Sequence, residues 1–280
     1  MALIIVLLAI TTMGRKSIYD MTLQEFKSML CEKTTPQIID IQGLPLIDHT
    51  QNTHYKDIVI PVSFDARKQF GKCIHPVRDQ GNCGSCWAHA TSESISDRFC
   101  ISTNGHANFI LSPQYLVSCD TYDDKCSGGF APSSFRFMTE TGTVLEECSP
   151  YQGVNGTCNA TCDVPNIPYK LFKCQAGTAG YVNDTESIKI ELMTYGPMYS
   201  RFEVYDDFME YKNGIYYQTS KTLLGGHAVK LIGWGLENGI DYWLFQNSWG
   251  TDWGENGYFR IKFNEAGICK FAYRCLPDLS

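Results

Sequence analysis

The sequence lacks three features that would assign it to common functional classes. It has no surplus of basic residues: 23 Lys and Arg stand against 30 Asp and Glu, for a net charge of −7, which argues against a nucleic-acid partner. It has no apolar run of the roughly 20 residues that span a bilayer, so we expect no stable membrane insertion. It shows no internal repeat and no low-complexity segment. The function must therefore be found in individual motifs.

Cysteine, in contrast, is abundant. The 13 cysteines among 280 residues are typical of an oxidising compartment. They do not form the paired C-x2-C motifs of structural zinc, so we expect no metal and no cofactor.

The N-terminus agrees with an oxidising compartment. The apolar run at residues 2–10 fits the core of a secretory signal peptide, which we place at residues 1–14. No basic residue precedes the run, and a buried N-terminal strand is the alternative. Glycosylation acceptor triplets begin at Asn155, Asn159 and Asn183. We expect the secretory pathway, leading to an acidic lysosome-like vesicle or to release from the cell.

The chain is organised around residues 76–99. The first half of this stretch is Gly-rich and polar, which predicts a loop, and the pattern turns helical from Cys86. The predicted helix has one narrow buried stripe, formed by Ala88, Ser92, Ile95 and Phe99. Cys86 therefore starts the helix, where the helix dipole favours a thiolate. A structural cysteine is the alternative.

The motif Cys83-Gly-Ser-Cys86-Trp87 matches the C-G-S/A-C-W/Y signature of the papain family of cysteine proteases. Residues 225–229 (GGHAV), 246–250 (QNSWG) and 253–258 (WGENGY) resemble further blocks of that family, in its order. Residues 64–67, 95–98 and 204–208 resemble its cathepsin B branch. The similarity covers roughly residues 61–277.

The distribution of patterns along the chain predicts the fold class. Residues 61–163 show helical patterns and loops, with a helix start at Ser112 and Pro113. After residue 169, β-branched and aromatic residues alternate with polar ones, and 228–233 and 242–245 are predicted core strands. We expect an α+β, papain-like fold of two subdomains. A helical left half and a β-barrel-like right half would enclose the active-site cleft.

The same reasoning divides the chain into parts. Residues 15–59 contain one short helical pattern at Leu23, Phe26, Met29 and Leu30. The resemblance implies that they are a propeptide that blocks the cleft, and a small N-terminal subdomain is the alternative. Residues 60–280 would be the peptidase domain, helical at about 76–165 and strand-rich at about 166–280 together with 60–75.

The resemblance also implies the catalytic residues. Cys86 would attack the peptide bond as a thiolate and form a thioester acyl-enzyme. His227 follows within the expected distance of about 130–150 residues as the proton carrier, and Asn247, a little further on, would orient its imidazole. Gln80 and the Cys86 N–H would hold the oxyanion. Taken singly, His227 fits a core histidine and the two amides fit loop caps; their joint occurrence favours catalysis.

Substrate-binding candidates follow from the same alignment: Gly128, Gly129, Ala228, Trp249, Phe271 and Arg201. Trp249 would cover the contact between Asn247 and His227. Phe271 falls at the floor of the S2 pocket, where cathepsin B has a carboxylate, so we expect an apolar P2 preference. Arg201 at the S2 wall leaves the charge of that pocket open.

Two further positions depart from the family pattern. Residues 152–157 carry no histidine where the cathepsin B branch has a histidine-bearing occluding loop, so we expect that loop to be absent and the protein to act as an endopeptidase. His89 stands where the family usually has an aromatic residue. It either fills that position or perturbs the Cys86 thiolate.

Disulfides can be paired only through the resemblance, which implies Cys73–Cys100, Cys83–Cys126, Cys119–Cys158 and Cys148–Cys162. Cys174, Cys269 and Cys275 stay unassigned, and Cys31 belongs to the propeptide. We expect a free thiol besides Cys86.

Two rival functions need to be considered. Because Cys83 and Cys86 form a C-x-x-C motif, a thiol–disulfide oxidoreductase is possible, but that function leaves His227 and Asn247 unexplained. A non-catalytic protein that kept the protease fold would usually have lost the nucleophile or the histidine. We expect a cysteine-type peptidase made as a zymogen. Its partners would be polypeptide substrates and its own propeptide as inhibitor, and it would be a monomer.

Overall fold

The computed structural model describes residues 16–30, 43–50, 55 and 57–280. The predicted signal peptide at 1–14 lies outside them. The helices within the described residues are α1 (Leu23–Met29), α2 (Ala66–Phe70), α3 (Cys86–Ser102), α4 (Pro113–Cys119), α5 (Ala131–Glu140) and α6 (Thr185–Tyr195). The strands are β1 (Phe64–Asp65), β2 (Gly180–Val182), β3 (Met198–Tyr205), β4 (Ile215–Tyr216), β5 (Leu223–Glu237), β6 (Ile240–Gln246), β7 (Tyr258–Lys262) and β8 (Ala272–Arg274). None of these helices is long and apolar enough to cross a membrane.

The strands form one mixed sheet in the order β2-β8-β3-β5-β6-β7-β4, with β1 pairing on β5. All pairs are antiparallel except β4 with β7. A bulge between Leu231 and Gly233 interrupts the pairing of β5 with β6. Gly233 is required there, because a Cβ atom would lie 2.2 Å from the Phe64 carbonyl oxygen of β1. The α+β class is confirmed by this combination of helices with one open sheet.

Helix α3 is buried on every side. The prediction of one narrow buried stripe is wrong, since each side chain from Cys86 to Cys100 is buried. α3 packs against β3, β5, α4 and α5. Its charged residues are paired inside the protein: Asp97 contacts Lys230 Nζ at 2.7 Å, and Arg98 contacts Glu191 at 2.8 Å.

Local signals explain the helix starts. Ser112 caps α4 by accepting a hydrogen bond from the Tyr115 N–H at 3.0 Å, with Pro113 as the first helical residue, as predicted. Asp184 caps α6 in the same way, accepting from Ser187 at 2.7 Å. α6 was not predicted within the strand-rich part. It packs its buried Ile188 and Leu192 into the core of the sheet.

The disulfides hold the helical part together. The four predicted pairs are confirmed: Cys73–Cys100, Cys83–Cys126, Cys119–Cys158 and Cys148–Cys162. Cys174 and Cys275 form a further disulfide across 101 residues of sequence. Cys269 keeps a free, buried thiol, as expected, and burial raises its pKa far above the ordinary value.

The N-terminal segment packs on the strand-rich part. Helix α1 begins with a capping box: Glu25 N–H donates to Thr22 Oγ1 at 3.3 Å, and Thr22 N–H donates to Glu25 Oε2 at 2.6 Å. Phe26 and Met29 are fully buried, whereas Leu23 is 45% exposed. The predicted helix is therefore present, and its inner face is formed by Phe26 and Met29.

Candidate active site

The first predicted catalytic residue, Cys86, begins helix α3 at the boundary between the two parts of the fold. Its N-cap, Ser85, makes no side-chain capping bond, so the first N–H groups of the helix keep their capacity to donate. The Ala228 N–H of β5 donates to Cys86 Sγ at 3.2 Å. Cys86 is in the disulfide form in this structure. It must therefore be reduced before its thiol can act as a nucleophile.

His227 lies on β5, directly before Ala228, and is fully buried. Its Nε2 lies 2.7 Å from Asn247 Oδ1. The Ser248 N–H donates to the same oxygen at 2.8 Å, which fixes the orientation of the amide. Because Oδ1 can only accept, Nε2 carries the proton and Nδ1 of the neutral ring has a lone pair. Nδ1 has no hydrogen-bond partner among the described residues, so it is available to accept a proton.

Two neighbours control the ionisation of His227. Its ring stacks on Trp249 at a centroid distance of 4.5 Å, and Trp249 is 3% exposed. Burial lowers the pKa of His227 to about 4, while the hydrogen bond with Asn247 acts in the opposite direction. The imidazole is thus neutral at pH 7 in this structure, because burial disfavours its charged form.

Gln80 is fully buried in the loop before Cys86. Its Oε1 accepts from Ser248 Oγ at 2.6 Å, which aims Nε2 at the Cys83 carbonyl at 3.0 Å and the Met29 carbonyl at 2.7 Å. Met29 belongs to α1, so the N-terminal segment places a carbonyl oxygen on the amide predicted to bind the oxyanion. Sequence reasoning missed this contact.

Helix α1 also covers the tryptophan. The Phe26 ring meets Trp249 edge to face at 5.1 Å. Phe26 and Met29 therefore contact Trp249 and Gln80, two of the residues selected for the site.

Comparisons with known proteins identify the family of this chain. Residues 60–276 match the model of the papain family cysteine protease. The chain belongs to this family. The cysteine protease is 46% identical to cathepsin B-like CP3 of Giardia intestinalis over 74% of this chain and 72% of the relative. It is 38% identical to cathepsin B-like cysteine proteinase 5 of Caenorhabditis elegans over 89% and 84%.

A solved structure resembles the whole described arrangement. The procathepsin B S9 structure from Trypanosoma congolense superposes with a TM-score of 0.84 at 32% identity, covering 92% of this chain and 90% of that one. The likeness to a proenzyme supports a protease that is made as a zymogen with an inhibitory N-terminal segment.

The glycine turn of the protease is shaped by close packing. A Cβ atom on Gly129 would lie 2.6 Å from Trp87 Cδ2 and 2.8 Å from Asp123 Cγ, so only glycine fits. Asp123 holds the turn by accepting from the Phe130 N–H at 2.9 Å. Burial, followed by the charge of Asp120, raises the pKa of Asp123 above its ordinary value. Sequence reasoning singled out Gly128 and Gly129 but missed these two carboxyl groups.

Two predicted specificity residues, Arg201 and Phe271, lie on strand β3 and directly before strand β8. Arg201 of β3 pairs directly with Ala228 of β5, so the two side chains share one face of the sheet. Phe271 packs edge to face on Tyr181 at 5.5 Å. Phe271 and Ala228 belong to the same apolar cluster as Cys86. The structure thus places Arg201 beside Ala228, and Phe271 against the cluster that contains Ala228 and Cys86.

His89 packs as an aromatic residue. Its ring meets Tyr151 edge to face at 4.5 Å, and its Nδ1 lies 3.1 Å from the Ser85 carbonyl oxygen. The Tyr151 hydroxyl in turn donates to the Gln80 backbone carbonyl at 2.6 Å. These contacts favour the interpretation that His89 fills the family's aromatic position.

No metal site accompanies these residues in the described part of the chain, where no three His, Cys, Asp or Glu side chains are grouped to hold an ion.

Proposed function

We propose that this protein is a cysteine endopeptidase in which the reduced Cys86 attacks the substrate carbonyl and His227 carries the proton. One observation supports this most strongly. The Asn247–His227 hydrogen bond of 2.7 Å stands one residue from Ala228, whose N–H contacts the Cys86 sulfur at 3.2 Å. His227 is thus the sequence neighbour of the residue that contacts the Cys86 sulfur, where α3 packs on β5.

The proposed reaction uses Cys86 as the nucleophile, His227 as the proton carrier and Gln80 as an oxyanion donor. His227 Nδ1 accepts the thiol proton, and the thiolate attacks the peptide carbonyl carbon. The oxyanion accepts hydrogen bonds from Gln80 Nε2 and the Cys86 N–H. His227 then returns its proton to the leaving amine, and a thioester remains on Cys86. Water, deprotonated by His227, hydrolyses that thioester and frees the sulfur.

We further propose that residues 15–59 keep the enzyme latent until the chain is cut near Ile60, after which α1 leaves Gln80 and Trp249. Two contacts support latency. The Met29 carbonyl occupies Gln80 Nε2, and Phe26 packs on Trp249. A substrate oxyanion and Met29 would compete for one donor. Removal of a signal peptide at residues 1–14 and delivery to an acidic vesicle or release from the cell complete the proposal.

We propose an apolar P2 preference and endopeptidase cleavage. The apolar surroundings of Phe271 support the first, because a P2 Arg would bury its charge without a carboxylate. A P2 Leu, Val or Phe would gain about 1.5–3 kcal/mol from burial. Endopeptidase cleavage is supported by residues 152–157, which contain no histidine to bind the C-terminal carboxylate of a substrate. Gly153 of this segment lies beside Gln80.

The test is to assay the full-length protein and the form beginning near Ile60, both under reducing conditions. Peptides with Leu-Arg and Arg-Arg before the cleaved bond, and a substrate that reports release of C-terminal dipeptides, are compared. We expect activity only after cleavage, and a preference for Leu-Arg. Equal activity of the full-length protein would refute latency. Preference for Arg-Arg or efficient dipeptide release would refute the proposed specificity.

A further inference from the structure

The segment at residues 45–49 docks on the outer edge of the sheet. β2 is the end strand, and residues 45–47 run parallel to it on its open side. The Ile47 N–H donates to the Tyr181 carbonyl at 2.8 Å, and the Tyr181 N–H donates to the Pro45 carbonyl at 3.0 Å. Gly180 permits this approach, because a Cβ atom there would lie 2.6 Å from Ile47 Cδ1.

His49 then enters a pocket on α6 formed by Ser187, Glu191 and Tyr195, which we call the His49 pocket. His49 is 4% exposed. Its N–H donates to Ser187 Oγ at 3.0 Å, and its Nε2 lies 2.6 Å from Glu191 Oε2. Its ring also stacks on Tyr195 at 6.5 Å. The backbone N–H and the ring Nε2 of His49 thus both have hydrogen-bond partners on α6.

The two oxygens of Glu191 have different partners. Oε1 pairs with Arg98 at 2.8 Å and with Arg274 at 3.1 Å, both of which belong to the peptidase domain. Oε2 contacts only His49 among the described residues. Glu191 is fully buried, and a buried carboxylate oxygen without a donor is unfavourable. Loss of His49 would leave that oxygen without a protein donor, so the pocket favours an imidazole or another flat donor.

We infer that the β2 edge and the His49 pocket form a binding site for residues 43–50. This site uses none of the residues of the proposed chemistry, and it retains the segment after the chain is cut near Ile60. The inference rests on the proposed function only for the position of that cut. Its occupant is an extended peptide that supplies two strand hydrogen bonds and, two residues later, a histidine.

The first experiment is hydrogen exchange on the full-length protein carrying Cys86→Ala, which cannot process itself. We expect the amides of Ile47 and Tyr181 to be protected. His49→Ala and Gly180→Ala should each raise their exchange rates at least tenfold, and His49→Gln, which keeps a donor, should raise them less. Leu46→Ala is the matched control, because Leu46 is 49% exposed and should change little. Unchanged exchange in His49→Ala and Gly180→Ala would overturn the inference.

The second experiment measures retention. The same Cys86→Ala protein is cut near Ile60 by a trace of active wild-type protein and passed over a size-exclusion column. The N-terminal fragment should co-elute with the domain and should separate from it in His49→Ala. Separation of the wild-type fragment would contradict retention. If the protein has no peptidase activity, no cut is made, and the exchange experiment alone decides whether the site exists.

Discussion

Two of the contacts that the described part of the N-terminal segment makes with the peptidase domain differ in their chemistry. At the α1 contact, Phe26 and Met29 cover Trp249 and Gln80, which are residues of the proposed mechanism. At the His49 pocket, an imidazole meets a buried carboxylate on α6, and no catalytic residue takes part. We therefore expect occupation of the α1 contact to interfere with catalysis, and occupation of the His49 pocket only to hold the segment in place. Substitutions can test the α1 contact and the His49 pocket separately.

The largest expected effect is on turnover of the cleaved enzyme. Cys86→Ala should lower kcat by at least about a thousandfold, and His227→Ala nearly as much, because residues that act as a unit are not additive. Asn247→Ala should cost less, since it removes only the group that orients the ring. Cys269→Ala is the matched control, because it removes the other thiol. The measurement is kcat in steady-state assays of the cleaved proteins. An active Cys86→Ala enzyme would contradict the proposed mechanism.

Gln80→Ala should affect both catalysis by the cleaved enzyme and the α1 contact in the full-length protein. In the cleaved enzyme it removes an oxyanion donor, for which we expect a loss in kcat of about 10²–10³-fold. In the full-length protein it also removes the 2.7 Å bond to the Met29 carbonyl and should loosen α1. A single variant should therefore lower kcat and raise hydrogen exchange in α1. A change in only one of these measurements would show that Gln80 does not serve both contacts.

Phe26→Ala should weaken the α1 contact without touching the mature enzyme. Truncation of a fully buried Phe costs about 3–5 kcal/mol, so the full-length protein should convert to the active form several-fold faster. Leu23→Ala on the same helix is the control, because Leu23 is 45% exposed. The rate of conversion under reducing conditions is the measurement. Equal rates for both variants would show that α1 does not hold the enzyme latent.

The smallest expected effect concerns pH at the His49 pocket. Burial would raise the pKa of Glu191, but Arg98, His49 and Arg274 outweigh it and lower the pKa to about 2. Because the folded-state value lies below the ordinary 4.5, the stabilising contribution of Glu191 is complete above pH 4.5 and is lost only as pH falls toward 2. Residues 43–50 should stay protected from exchange at both pH 7 and pH 5 in the full-length Cys86→Ala protein. Release at pH 5 would contradict this.

Features that depend on local patterns could be predicted from the sequence. Ser112 and Pro113 start α4 as expected, because an N-cap needs only residues within one turn. The motif around Cys86 and the block at His227 identified the family, and with it four disulfides. The Cys174–Cys275 disulfide was not assigned, since it joins residues 101 positions apart that no motif connects.

Features that depend on tertiary pairing could not be predicted. Only one narrow stripe of α3 was predicted to be buried, yet Asp97 and Arg98 are buried too, because Lys230 and Glu191 pair with their charges. The contact of Met29 with Gln80 spans 51 positions, and that of His49 with Glu191 spans 142. Nothing in the sequence around Met29 or His49 indicates which distant residue each of them contacts.

The most direct test of the central claim is labelling with a thiol-directed epoxide, read by mass spectrometry. We predict rapid modification of Cys86 alone in the cleaved, reduced protein. Modification should be slow in the full-length protein under the same reducing conditions, because α1 covers the site. Cys269 should stay unlabelled, since it is buried and its pKa is raised. Labelling of Cys269 in place of Cys86, or equally fast labelling of Cys86 with the N-terminal segment attached, would contradict the account.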